Sequence, residues 1–252
     1  MTNRAVFYIA SQDDKGRFIR EAACSADSVR QVLGLPTILF VEGGKCKEPS
    51  QFSEVRALPE REHDLWYLDA TRYFNIAVNE LADYDQLLYL DVDTHICWPC
   101  VDLFDLLRHY DMALGQSPQR DAIESVVDAP PCFTTLQVGV NVFRNNDKMR
   151  AFFADWLARY EAHAYDYDNN DQASLRDTLF ENTLGIRWMA LPPEYCLRFD
   201  FGCWVVGKVR ILHGRIGGVS VDRRPLKGIC EKINTTHLMR MWRFDRLLGP
   251  DE

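Results

Sequence analysis

No stretch of this chain approaches the roughly 18 consecutive apolar residues that a membrane-crossing helix needs, so no transmembrane segment is expected. Low-complexity tracts and internal repeats are also missing, which sets aside disordered and solenoid architectures. The opening residues lack the build of a signal peptide: their apolar stretch is short, and Asp13 and Asp14 follow at once. A cytoplasmic protein is the expectation. The cysteines lack the paired spacings of a disulfide framework. All eight (Cys24, Cys46, Cys97, Cys100, Cys132, Cys196, Cys203, Cys230) are scattered, and free buried thiols are expected rather than bridges. Cys97-Trp98-Pro99-Cys100 has redox or zinc spacing, but no second ligand pair accompanies it and neither role is assigned. Positive charge is in deficit too. Against 37 Asp and Glu stand 29 Lys and Arg, a net charge of −8 that argues against nucleic acid as a partner.

What is present is an ordinary globular composition. With 252 residues, 47% of them apolar and 26% charged, the chain can bury one sizeable core. Its cations gather late: residues 205–246 hold ten Lys or Arg against three acids. Such a segment suits a diphosphate or an anionic surface, and peripheral membrane contact is one use for it. A solvated basic helix is the plain alternative.

Short apolar runs at 5–10, 37–41, 86–90 and 138–143 read as buried strands, and 186–191 as a further strand ended by Pro192-Pro193. Apolar residues at helical spacing predict helices over 16–33, 70–82, 147–163 and 171–180. The stripe Phe152, Phe153, Trp156, Tyr160 is most simply core. Strand and helix alternate, which predicts an α/β fold: one domain with a mixed, mostly parallel sheet flanked by helices.

Asp91-Val92-Asp93 is the first feature that speaks of chemistry. In a chain with 24 Asp, chance supplies about two Asp-x-Asp triplets, and three occur, the others being Asp83-Tyr84-Asp85 and Asp166-Tyr167-Asp168. Only the 91–93 triplet follows an apolar strand directly. That places two carboxylates at the carboxyl end of a sheet strand, where open α/β sheets bind ligands. There they can hold a hard divalent cation, Mn2+ or Mg2+, against phosphate oxygens.

From Gln86 to Thr94 the sequence resembles the strand and metal motif of GT-A (Rossmann-like) glycosyltransferases, nearest to the glycogenin-like enzymes of glycosyltransferase family 8. The resemblance runs over residues 5–215 in the family's order. Residues 7–11 with Lys15-Gly16 look like the first strand and base pocket, where Ala10 and Ser11 would meet the nucleotide. Thr71-Arg72 matches the place of a basic residue over the donor, with Arg where the family usually has Lys. Gln137-Val138-Gly139-Val140-Asn141 resembles the Asn-Ser-Gly strand along the donor sugar, with a changed opening. Asn170-Asp171-Gln172 resembles the Asp-Gln helix start, Leu191-Pro192 the strand-ending Leu-Pro, and His213-Gly214 the metal-binding histidine. Here the histidine leads into Arg215 rather than the family's Lys-Pro-Trp.

The resemblance implies a metal-dependent transferase moving a sugar from a nucleotide-diphosphate donor, UDP ahead of GDP, to an acceptor hydroxyl, with retained configuration. The acceptor's class (glycan, lipid or protein) is left open. Asp91, Asp93 and His213 would ligate the metal. Asp91, Ala10, Ser11, Arg72, Gln137, Gly139, Asn141, Arg215 and Lys227 would bind the donor, the last two as diphosphate clamp with Arg223 and Arg224 as the alternatives. Asp171 and Gln172 would be catalytic, against the plain reading of Asp171 as a helix cap. The expected layout is a catalytic domain over 1–215 and a basic extension over 216–252 packed on or near the active site, with 44–65 and 115–135 as acceptor loops. Two rival readings remain: a haloacid-dehalogenase-type phosphatase with Asp91 as nucleophile, and an inactive GT-A-like domain binding a glycan or partner.

Overall fold

The computed structural model describes residues 2–11, 16–44, 49–117, 124–198, 203–215, 226–235 and 239–242. In chain order the first half contains β1 (Arg4–Ala10), α1 (Arg17–Val32), β2 (Thr37–Glu42), β3 (Glu54–Leu58), α2 (Trp66–Glu80), β4 (Gln86–Leu90), β5 (Thr94–Ile96), α3 (Leu103–Leu106) and β6 (Met112–Gln116). Then come β7 (Leu136–Arg144), α4 (Asp147–His163), α5 (Asp171–Glu181), β8 (Trp188–Leu191), β9 (Leu197–Arg198), β10 (Cys203–Val206), β11 (Ile211–His213), α6 (Leu226–Thr235) and β12 (Met239–Trp242).

Seven strands form one sheet in the order β3-β2-β1-β4-β7-β6-β8. β7 runs against both neighbours, β4 and β6, and the other pairings are parallel. The reason lies in the strand composition. β1 is buried along nearly its whole length, so Phe7 and Ile9 feed one face while Val6, Tyr8 and Ala10 feed the other. A strand buried on both faces needs helices on both, which is the parallel-sheet solution. α2, α4 and α5 cover the first face with Phe74, Phe153 and Leu175; α1 and α3 cover the second with Ala26, Val29 and Phe104. The chain is therefore an α/β domain with a mostly parallel sheet between helix layers, as expected. Phe152, Phe153, Trp156 and Tyr160 are buried core.

Differences from the sequence expectation are local. Helix α2 starts at Trp66, four residues ahead of the predicted start at 70. β3 lies inside 44–65, a span expected to be acceptor loop; as an edge strand, partly exposed, it carries too little apolar patterning to be seen in sequence. β6 was likewise not anticipated, and its end falls inside 115–135.

A three-stranded sheet, β5-β11-β9, stands beside the main one. It packs with α6 through Leu197, Leu212, Leu226, Cys230 and Ile233. Cys97 and Cys230 form a disulfide across 133 residues of sequence, which corrects the expectation of free thiols throughout. Spacing could not reveal it, because the partners meet only when α6 folds onto the end of β5. Cys100 and Cys196 are free and buried; Cys24 and Cys132 are outside disulfides but exposed. No helix among the described residues is long and apolar enough to cross a membrane.

Candidate metal centre and its cleft

β4 ends at Leu90, and Asp91 and Asp93 occupy the turn into β5. Thr94 closes that turn, its amide and its hydroxyl both donating to the Asp91 carbonyl at 3.2 and 2.8 Å. The Thr94 hydroxyl is in turn 2.8 Å from Ser25 Oγ, which lies 3.1 Å from the Tyr8 hydroxyl, so a buried polar chain ties the turn to β1 and α1. β11 pairs antiparallel with β5 and sets His213 opposite Thr94. The Gly214 amide donates to the Asp93 carbonyl at 3.0 Å. A histidine 120 residues downstream thus arrives beside both acids.

His213 Nε2 lies 3.2 Å from Asp91 Oδ2 and 3.5 Å from Asp93 Oδ1. One ligand atom from each of the three falls within 4.8 Å of the others. Adjacent ligands of an octahedral ion with bonds near 2.1 Å lie about 3 Å apart, so the trio fits a divalent cation. Two carboxylate oxygens with one imidazole suit Mg2+, Mn2+ or Zn2+. The ring's other nitrogen, Nδ1, is 3.7 Å from Cys196 Sγ. Tyr89, two residues before Asp91 on the same strand face, donates to Asp91 Oδ1 at 2.8 Å. Partners of this kind orient metal ligands.

Gly139 is the tightest part of the arrangement. A Cβ there would stand 2.3 Å from Asp91 Oδ2 and 2.4 Å from His213 Cε1. Its carbonyl accepts from the Asp91 amide at 2.9 Å, so β7 passes directly against the trio. Only a residue without a side chain leaves room for the carboxylate and ring to meet.

Electrostatically the trio is a mutual ion pair. Burial by itself would depress His213 and raise Asp93. The attraction between them wins in both cases: the imidazole is held well above its ordinary value and Asp93 well below the usual carboxylate range, with Arg215 adding to the latter. A positively charged ring here stands where a cation would stand, and metal binding would displace its proton.

The trio opens into a cleft of about 450 Å³ whose walls include Ser11, Arg17, Phe18, Tyr67, Gln137, Asp171, Gln172, Arg198 and Arg215. Asn170 is the N-cap of α5, its side chain accepting from the Gln172 amide at 3.0 Å. The cap role therefore falls to Asn170, and Asp171 faces the cleft. Burial, with the Asp91 charge second, pushes Asp171 up to about 7 although the Gln172 and Asp171 amides pull the other way.

Most of the sequence-predicted site residues line this cleft together: Ser11, Asp91, Asp93, Gln137, Gly139, Asp171, Gln172, His213 and Arg215. The other four do not line it. Arg72 is absent from the cleft wall; its guanidinium is bound by Asp69, Glu62 and the Glu60 carbonyl. Ala10 is packed into the core beside Val41 rather than opening on the cleft. Asn141 is buried in β7 opposite Tyr89, with no hydrogen-bond partner for either amide atom among the described residues. Lys227 lines a separate cavity of about 320 Å³ between α1, β5 and α6, where burial and then the Lys227 charge push His95 down to about 4. Helix α6 packs away from the cleft and carries Lys227 with it. Lys15, Arg223 and Arg224 lie outside the described residues. Sequence reasoning did not single out Tyr89, Arg198 or Tyr67, which stand on the cleft wall. Tyr89 alone left a signal, its i, i+2 spacing from Asp91 on one strand face.

An α/β domain with a candidate divalent-metal centre at the carboxyl edge of its sheet is the class that fold and geometry define. No protein-family model matches the chain, and no curated protein matches it in sequence.

Proposed function

We propose that this chain is a divalent-metal-dependent glycosyltransferase of the GT-A type, taking a sugar from a nucleoside-diphosphate donor. The observation that carries the reading is the meeting of Asp91, Asp93 and His213 against Gly139, in a cleft that also holds a carboxyl group shifted to about 7. The mostly parallel sheet, with the acids at the carboxyl end of β4, is the scaffold such a reading requires. A divalent ion held by the three side chains would offset the charge that builds on a departing diphosphate. Arg215, beside Asp93 on the cleft wall, is the cation placed to grip that diphosphate. Asp171 can hold a proton near neutral pH or accept one from an acceptor hydroxyl, and as a carboxylate it can face a positively charged sugar. Ser11 at the end of β1 and Gln137 on β7 line the cleft on the donor's side of this reading.

Calorimetry with Mn2+ and a panel of UDP and GDP nucleotides tests it. Saturable nucleotide-diphosphate binding that requires the metal is expected. Turnover of a generic phosphoester without nucleotide would instead establish the phosphatase reading. Nucleotide binding with neither donor hydrolysis nor transfer would leave a binding domain.

A further inference from the structure

Asp93 has two oxygens, and the structure divides them. Oδ1 faces the His213 ring at 3.5 Å, on the side of the metal trio. Oδ2 lies 3.1 Å from Arg215 Nη1. Arg215 is a permanent cation, and one resting on a metal-ligating carboxylate competes with the metal for it. What limits that competition is on helix α1. Glu21 is fully buried there and takes the rest of the guanidinium: Nε lies 3.0 and 3.2 Å from its two oxygens, and Nη2 is 2.6 Å from Oε2. The Phe18 ring, 5.6 Å from Arg215 Cζ, flanks the same group. Moving Arg215 off Glu21 gives up a buried, bidentate, charge-assisted contact, so a swing of the guanidinium toward the acids is penalised. The bidentate geometry also fixes the plane of the fork, which leaves Nη1 alone to reach Asp93.

We infer that Glu21 is a positioning residue of the metal centre: it anchors Arg215 so that the guanidinium engages only one oxygen of Asp93 and leaves the other for a divalent cation. The inference rests on the metal-centre reading but not on sugar transfer. With Glu21 neutralised, Arg215 is released onto Asp93 and Asp91 and becomes a built-in substitute for the ion. Charge at the centre then decides affinity, so removing Arg215 as well cancels the effect. A merely structural Glu21 predicts the opposite pattern, because each added substitution at a buried pair would weaken the protein further.

Mn2+ affinity of the whole chain, measured by electron paramagnetic resonance titration, separates these outcomes. Glu21→Gln is expected to weaken Mn2+ binding on the order of tenfold. Glu21→Gln combined with Arg215→Gln, an uncharged pair of similar volume, is expected to return it to wild-type affinity or tighter. Glu21→Asp keeps the charge but shortens the reach; it is expected to fall between wild type and Glu21→Gln, and it reads the same effect should Glu21→Gln fail to fold. Wild-type affinity in both single variants overturns the proposal, and so does a double variant no better than Glu21→Gln. Asp93→Asn is the control for the site itself. Mn2+ uptake that survives Asp93→Asn, or its absence in the wild type, removes the metal-centre reading and this inference with it.

Discussion

At the scale of single residues, the cleft holds a carboxyl group at a cost in stability. A carboxyl group raised from its ordinary 3.8 to about 7 binds its proton more tightly in the folded state. As pH rises from 4 toward 7 the unfolded chain gives up that proton while the native chain keeps it, so Asp171 costs stability progressively across the window and fully above it. Asp171→Asn in metal-free protein is therefore expected to raise Tm at pH 8 by about 2–4 °C for each kcal/mol relieved, and to leave Tm unchanged near pH 3.5. Under the proposed sugar transfer, the same variant should lose transfer while keeping donor binding. A Tm gain that is equal at both pH values would show that ionisation is not the cause. Gly139 is the complementary case, where space rather than charge is tuned. A methyl group there collides with Asp91 and His213, so Gly139→Ala is expected to lower Mn2+ affinity about 10–100-fold while the circular-dichroism spectrum stays native. Unchanged affinity would mean that the trio does not close on an ion.

Among the elements, the small sheet carries more than its size suggests. β11 is three residues long, yet its pairing with β5 is what brings His213 to the acids. The disulfide between Cys97 and Cys230 clamps α6 to the end of that same β5. Closing a loop of 133 residues stabilises the folded chain by about 5 kcal/mol if the whole effect is unfolded-state entropy. Cys230→Ser is expected to lower Tm and to speed tryptic cleavage in the basic segment after residue 215, with the seven-stranded sheet retained. Equal cleavage rates in wild type and variant would show that packing through Leu226 and Ile233 holds α6 without the bond. Helix α5 shows the same division of labour: Asn170 does the capping, so Asp171 is left to the cleft.

The whole molecule couples these parts through charge. Two acids close together with a histidine and an arginine are balanced without a metal, which keeps the centre assembled. A metal that binds only the folded state adds to stability by mass action, about 2.7 kcal/mol at a hundredfold excess over Kd. Wild-type Tm is thus expected to rise by several degrees with Mn2+. Asp93→Ala should remove that rise, and under the proposed function abolish metal-dependent nucleotide binding, with the metal-free fold intact. A rise that persists in Asp93→Ala would relocate the metal. Much of this was legible beforehand. Asp91 and Asp93 stood out because an apolar strand precedes them, and the four helices and five strands that the apolar patterning predicts all form. Arg72 and Lys227 stand away from the cleft for different reasons: Arg72 is held by Asp69 and Glu62, its near neighbours in sequence, whereas Lys227 goes where α6 packs, and that docking involves segments remote from it.

Periodicity and local composition determined the strands, the helices and the two adjacent carboxylates, because those depend on residues within a few positions of each other. The family resemblance singled out His213, but only tertiary structure brings it to the acids, sets Glu21 on Arg215, makes Gly139 leave the space, and joins Cys97 to Cys230. Each of those contacts joins segments far apart along the chain. Their strength comes from burial and from charges brought within a few ångströms, which exist only once the sheet is assembled.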